Sequence, residues 1–169
     1  NTAISDLTLF VLLTHTSGLT PSITFYQALL STPDNSPFLS NQKSEQYVEP
    51  FDNMYVNKNI VYNSKYLVFE PKENWVQIYK NMWLNLEFYS SVYERIAKAN
   101  TNPRGKYLYS DLNLLLVKQM IETKTGKKLD QFTNEIYTEL GVSKIGYNPL
   151  KWTSIENVMP TEVDNFFRK

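Results

Sequence analysis

Gly105-Lys106-Tyr107-Leu108-Tyr109-Ser110-Asp111-Leu112-Asn113-Leu114-Leu115-Leu116 is the stretch on which the reading of this chain turns. A polar triplet, Tyr109-Ser110-Asp111, stands directly before a long apolar run with helical spacing. Leu112, Leu115, Leu116 and Met120 share one side, Val117 and Ile121 adjoin them, and Gly126 supplies the stop. The Asn102-Pro103-Arg104-Gly105 turn delivers the chain to this point, and a side-chain oxygen of Ser110 or Asp111 is suited to cap the first free N–H groups. The pattern predicts a helix over 111–125 whose mouth holds a phenol and a carboxylate.

Working outward, Phe88, Val92 and Ile96, with Tyr89 and Tyr93 beside them, repeat at spacings of four and predict a helix over 88–99. Leu129, Phe132, Ile136 and Leu140 predict another over 129–140, stopped by Gly141. The apolar run at 6–14 fits a buried helix or a buried strand by periodicity alone. Ser5 or Asp6 as a cap, and Gly18 as a stop, tip it to helix. Ser22 to Leu30 reads as a short helix, and Trp75 to Leu86 fits helix and strand equally. From 31 to 72 the pattern dissolves into Pro, Asn, Ser and Lys, an irregular insertion that either faces a substrate or is the most mobile part of the chain. After Gly146 the chain reads as extended. The expected fold is mainly α, with 1–169 forming a single helical lobe.

Composition narrows the function. Seventeen basic and seventeen acidic residues cancel, which leaves no electrostatic footprint for nucleic acid. The absence of cysteine excludes disulfides, thiolate nucleophiles and cysteine metal sites. A single histidine, His15, has no second ligand in its neighbourhood of sequence, so neither a metal nor a cofactor is expected. His15 reads as a turn residue bonding nearby backbone. No apolar run approaches the ~20 residues of a membrane span, and no secretory signal opens the chain. Twelve Tyr, nine Phe and three Trp fit either a tyrosine-rich core or broad contact surfaces with polar tips.

Three segments in order resemble one family: Leu12-Leu13-Thr14-His15-Thr16-Ser17-Gly18-Leu19, the Tyr109-Ser110-Asp111-Leu112 helix mouth, and the pair Thr125-Gly126-Lys127 to Leu140-Gly141-Val142. They look like the middle of a beta-lactamase-related serine hydrolase, the bacterial group that includes class C beta-lactamases, penicillin-binding proteins and esterases. The tail from Met159 to Arg168, with Glu162, resembles the variant fused behind family-3 glycoside hydrolases. The resemblance implies the helical lobe of a beta-lactamase/transpeptidase-like α+β fold, a location in the periplasm, cell envelope or outside the cell, and acyl-enzyme hydrolysis of a beta-lactam, ester or peptide-like substrate. It also implies a Ser-x-x-Lys nucleophile before this region, a Tyr-x-Asn element within it and a Lys-Thr-Gly strand after it. Tyr109 matches the tyrosine of the second element, which serves as catalytic base in the class C pattern, with Ser110 and Asp111 as positioning residues. Asp111 stands where that element has asparagine. A carboxylate there opposes ionisation of the phenol and lacks the amide donor for a substrate carbonyl. Asp111 is read equally as a helix cap.

Two literal matches are refused. Ser40-Asn41-Gln42-Lys43 spells Ser-x-x-Lys but follows the segment it should precede, in a stretch without the helix that would hold both side chains on one face. Lys124-Thr125-Gly126 spells Lys-Thr-Gly but closes a helix instead of lying on a strand. The expected protein is therefore one wall of an active-site cleft, lacking its own nucleophile and inactive alone. Its partners are the remainder of the hydrolase, an acyl substrate, and a second copy docked through the apolar face left open. The competing reading is a non-catalytic helical binding or scaffolding module for a protein or glycan. A Ser-x-x-Lys encoded upstream separates the two.

Overall fold

The computed structural model describes residues 2 and 4–159. Glu162 and Arg168 lie outside them. Contacts divide the chain into two compact units, 1–114 and 115–169.

The first unit is not mainly helical, and this corrects the fold expected from periodicity. It holds helices α1 (Leu9–Leu13) and α2 (Glu87–Ala97) and the start of α3 (Asp111–Thr125), but also, among the described residues, eight short strands. These are β1 (Leu30–Ser31), β2 (Leu39–Ser40), β3 (Tyr47–Phe51), β4 (Met54–Asn57), β5 (Val61–Tyr62), β6 (Leu67–Val68), β7 (Trp75–Tyr79) and β8 (Met82–Asn85). They form three small antiparallel sheets, ordered β1-β5, β2-β4-β3 and β6-β8-β7. The protein is a mixed α and β fold.

The 31–72 stretch reads as irregular because its strands are only two to five residues long, too short to carry a clear period. Its polar residues nonetheless form the turns between those strands. Asn35 and Asn53 adopt left-handed backbone, which asparagine tolerates better than most residues. Buried Asn57 donates to Ser36 Oγ over 2.7 Å and accepts from the Asn59 N–H over 2.9 Å. The Thr32 hydroxyl donates to the Ser36 carbonyl over 2.7 Å. The 75–86 stretch resolves as the β7–β8 hairpin, enriched in the aromatic and β-branched residues that suit a pleated surface.

Leu84 on β8, Leu67 on β6 and Phe88 on α2 form a buried cluster, joined by Phe25, Leu29, Tyr66 and Val92. Residues 25–29 are a 3-10 helix, shorter than the helix expected over 22–30. The first helix is also shorter than the 6–14 expected, and Thr8 caps it in place of Ser5 or Asp6. Asp6 is engaged elsewhere: both its oxygens accept from the Arg104 guanidinium, at 2.8 and 2.9 Å.

In the second unit α3 continues to Thr125 and α4 spans Leu129–Glu139, both close to their expected bounds. Glu122 ties the two. Its carboxylate accepts from the Leu129 N–H over 3.0 Å and from Lys118 Nζ over 2.9 Å, with Lys128 Nζ at 3.7 Å. Gly141 takes a left-handed conformation, and the Val142 N–H reaches back to the Tyr137 carbonyl over 2.8 Å, closing α4. Two 3-10 turns, Pro149–Lys151 and Ile155–Asn157, follow where extended chain was expected.

Candidate functional site

The site lies within the first unit, where the loop after α1 runs beside the segment that leads into α3. Leu19 bridges Thr101 in antiparallel fashion, and the Asn102 N–H donates to the Gly18 carbonyl over 2.6 Å. The Gly105 N–H donates to Thr16, the Leu108 N–H to His15 and the Asp111 N–H to Pro21, over 3.0, 2.8 and 2.9 Å. Gly18 is required here on two counts: its φ is +79°, and a Cβ would strike the Asn102 carbonyl oxygen.

Side chains lock the same seam from inside. The Ser17 hydroxyl donates to Asn113 Oδ1 over 2.6 Å and accepts from the Leu19 N–H over 3.2 Å. The Ser110 hydroxyl donates to the Thr20 carbonyl over 2.6 Å. Ser17, Ser110 and Asn113 are all buried. His15 completes the set: the Ser110 N–H points at its Nδ1 over 3.2 Å, and Asn113 Nδ2 stands 2.9 Å from the same atom. A backbone N–H can only donate, so Nδ1 is an acceptor and the ring proton sits on Nε2. Asn113 is then satisfied at both ends, its oxygen accepting from Ser17 and its nitrogen donating to His15.

Tyr109 stands on the exposed side of this seam, half accessible. Its ring lies 4.7 Å from the His15 ring at 35°, and the Tyr107 ring lies 6.0 Å from the same imidazole, edge-on at 76°. The Tyr109 hydroxyl donates to Asp111 Oδ1 over 2.9 Å. That hydrogen bond, and next the carboxylate's charge, hold the phenol above its ordinary value of 10.0. At neutral pH Tyr109 therefore carries its proton.

The structure brings Tyr109 and Asp111 together, whereas the Ser110 side chain is turned inward to Thr20. His15 bonds backbone 95 residues away rather than its own turn. Asn113 and Ser17 escaped the sequence reading. The signal for Asn113 was present, since an asparagine inside a leucine run must find buried partners. Ser40 is engaged with Gln42 at the end of β2, and Lys124-Thr125-Gly126 closes α3 with Gly126 left-handed. Among the described residues no group of three or more His, Asp or Glu is arranged to hold a metal ion, and no helix is long and apolar enough to cross a membrane.

No protein-family model matches the chain, and no solved structure does. Two curated proteins match, each named "Putative D-alanyl-D-alanine carboxypeptidase", from Escherichia coli strain K12 and Escherichia coli O157:H7. Each is 34% identical over 64 residues, which is 37% of this chain and 15% of the relative's length. The similarity supports a penicillin-binding or beta-lactamase-like relation at that coarse level.

Proposed function

We propose that this chain contributes the tyrosine element of a beta-lactamase-type serine hydrolase that transfers the acyl group of a peptide, ester or beta-lactam to a serine and then to water. The D-alanyl-D-alanine peptide named in the relatives' description is the substrate class to try first. The observation that carries the reading is the Tyr109–Asp111 hydrogen bond at the exposed mouth of α3, beside the His15 loop.

A phenol that keeps its proton at rest is a poor base by itself. Paired with a carboxylate it becomes a relay. As the serine attacks the substrate carbonyl, its proton passes to the phenol oxygen while the phenol proton passes to Asp111 Oδ1. Collapse of the tetrahedral intermediate reverses both transfers, delivering the proton to the leaving group. Asp111 thus takes the role of terminal acceptor, and its lack of an amide donor is consistent with preference for substrates other than beta-lactams. The serine and its lysine belong, in this proposal, to another part of the full-length protein.

The test is to treat the full-length protein with a fluorescent penicillin, a fluorophosphonate and a D-alanyl-D-alanine peptide, and to map any modified residue by mass spectrometry. A labelled serine outside residues 1–169, with alanine release, is expected, and the 169-residue chain alone gives neither. Labelling at Ser40, or no labelling and no turnover by the full-length protein, overturns the proposal.

A further inference from the structure

Five non-glycine residues adopt left-handed backbone among those described, and four of them are asparagine: Asn35, Asn53, Asn74 and Asn148. The fifth is His15, with φ of 53°. Such a conformation persists where the surroundings over-determine it, and strain of that kind collects where a side chain must be aimed. Here the surroundings are on view. The turn aims the imidazole at the first residues of α3, where Nδ1 receives the Ser110 N–H and the Asn113 amide. Ser110 is the residue between Tyr109 and Asp111, so the bond to its N–H fixes the peptide that separates phenol from carboxylate. Behind it, Ser17 orients the Asn113 amide through the 2.6 Å bond to Oδ1, which turns Nδ2 toward the ring. The Tyr109 ring lies against the same imidazole, 4.7 Å between centroids.

We infer that His15 is the positioning residue of the Tyr109–Asp111 pair, acting through the acceptor at Nδ1, with the Ser110 N–H setting its tautomer and the Ser17-held Asn113 amide matching it. This rests on the proposed function for its catalytic meaning, though not for its geometry. The acceptor is the part that matters. A ring without it still stacks on Tyr109 but leaves the buried Asn113 amide and the Ser110 N–H facing a carbon edge. Conversely, asparagine at position 15 tolerates the left-handed turn and offers an amide oxygen near the place of Nδ1.

The experiment compares wild type, His15→Phe and His15→Asn in the 169-residue chain and in the full-length protein. In the chain, a long-range proton–nitrogen spectrum of His15 reads the tautomer, and Tyr109 carrying carbon-13 at Cζ reads the phenol titration. Nδ1 without a proton is expected in the wild type. His15→Phe should bring the Tyr109 titration down toward that of a free phenol, and His15→Asn should keep it near the wild-type position. In the full-length protein the acylation rate should fall by ~10-fold or more in His15→Phe and recover in His15→Asn, as for loss and restoration of a supporting group. A proton on Nδ1, an unshifted Tyr109 titration in His15→Phe, or an equal shift in both variants overturns the inference. Should His15→Phe fail to fold, the wild-type tautomer decides alone. Titration effects without any acylation in the full-length protein would leave the positioning intact and remove the proposed function instead.

Discussion

The Tyr109 hydroxyl donates to Asp111 Oδ1 across 2.9 Å, so the phenol and the carboxylate at the mouth of α3 share one proton between residues two apart in sequence. In the seam beneath them Ser17 and Asn113 are buried and His15 is half-buried, each hydrogen-bonded to the next, while the pair itself faces outward.

Asp111→Asn should lower the Tyr109 titration toward 10.0, because the charge and the acceptor that hold the phenol protonated are both weakened. The sign for stability follows. A phenol raised in the folded state favours folding below its unfolded value and loses that contribution as pH climbs through the folded one. Carbon-13 NMR of Tyr109 measures the shift, and an unmoved titration would mean that Asp111 does not govern the phenol.

Gly18→Ala should destabilise the protein by more than the roughly 1–2 kcal/mol of placing an alanine in left-handed backbone, since its Cβ also meets the Asn102 carbonyl oxygen. Gly105→Ala, which shares the positive φ but meets nothing within 4 Å, should cost only that conformational part. Urea titrations of the two variants supply the comparison. Equal losses would show that the seam between Gly18 and Asn102 yields easily.

Asn113→Ala should cost roughly 1–3 kcal/mol, the range for leaving a buried partner unsatisfied, and Ser17→Ala less, because asparagine keeps its contact with His15. The double variant should fall short of the sum by roughly 0.5–3 kcal/mol, as expected for residues in one network. Strict additivity would separate the two side chains energetically.

How legible all this was follows from length and period. The third and fourth helices were readable because Leu112, Leu116 and Met120, and then Leu129, Phe132 and Ile136, repeat over several turns and end at Gly126 and Gly141. The sheets were mostly not: 75–86 fitted strand and helix equally and is the β7–β8 hairpin, but pairings such as Leu30 with Tyr62 and Leu67 with Leu84 involve two residues per strand and are set by partners distant in sequence. Tyr109 and Asp111 stood out by their place before the apolar run. The inward turn of Ser110 and the reach of His15 across 95 residues depend on the fold and leave no local trace.

Glu122 gives the second unit an acid-sensitive joint. The Lys118 hydrogen bond, then the Leu129 N–H and the lysine charges, hold its carboxyl below the ordinary 4.5. A depressed carboxyl contributes fully above its unfolded value and loses that contribution as pH falls through the lower folded one. Glu122→Gln should therefore destabilise at pH 7 by about 1 kcal/mol, and by progressively less as pH falls below 4.5. Thermal midpoints across that range check it, and a loss independent of pH would point to packing alone.

The most direct measurement is the single-turnover acylation rate of the full-length protein and its Tyr109→Phe variant, with thermal midpoints recorded alongside. The relay predicts a fall of ~100- to 10,000-fold, the usual contribution of a positioned acid–base group, at nearly unchanged stability. An unaltered rate would contradict it and leave Tyr109 a packed aromatic at the helix mouth.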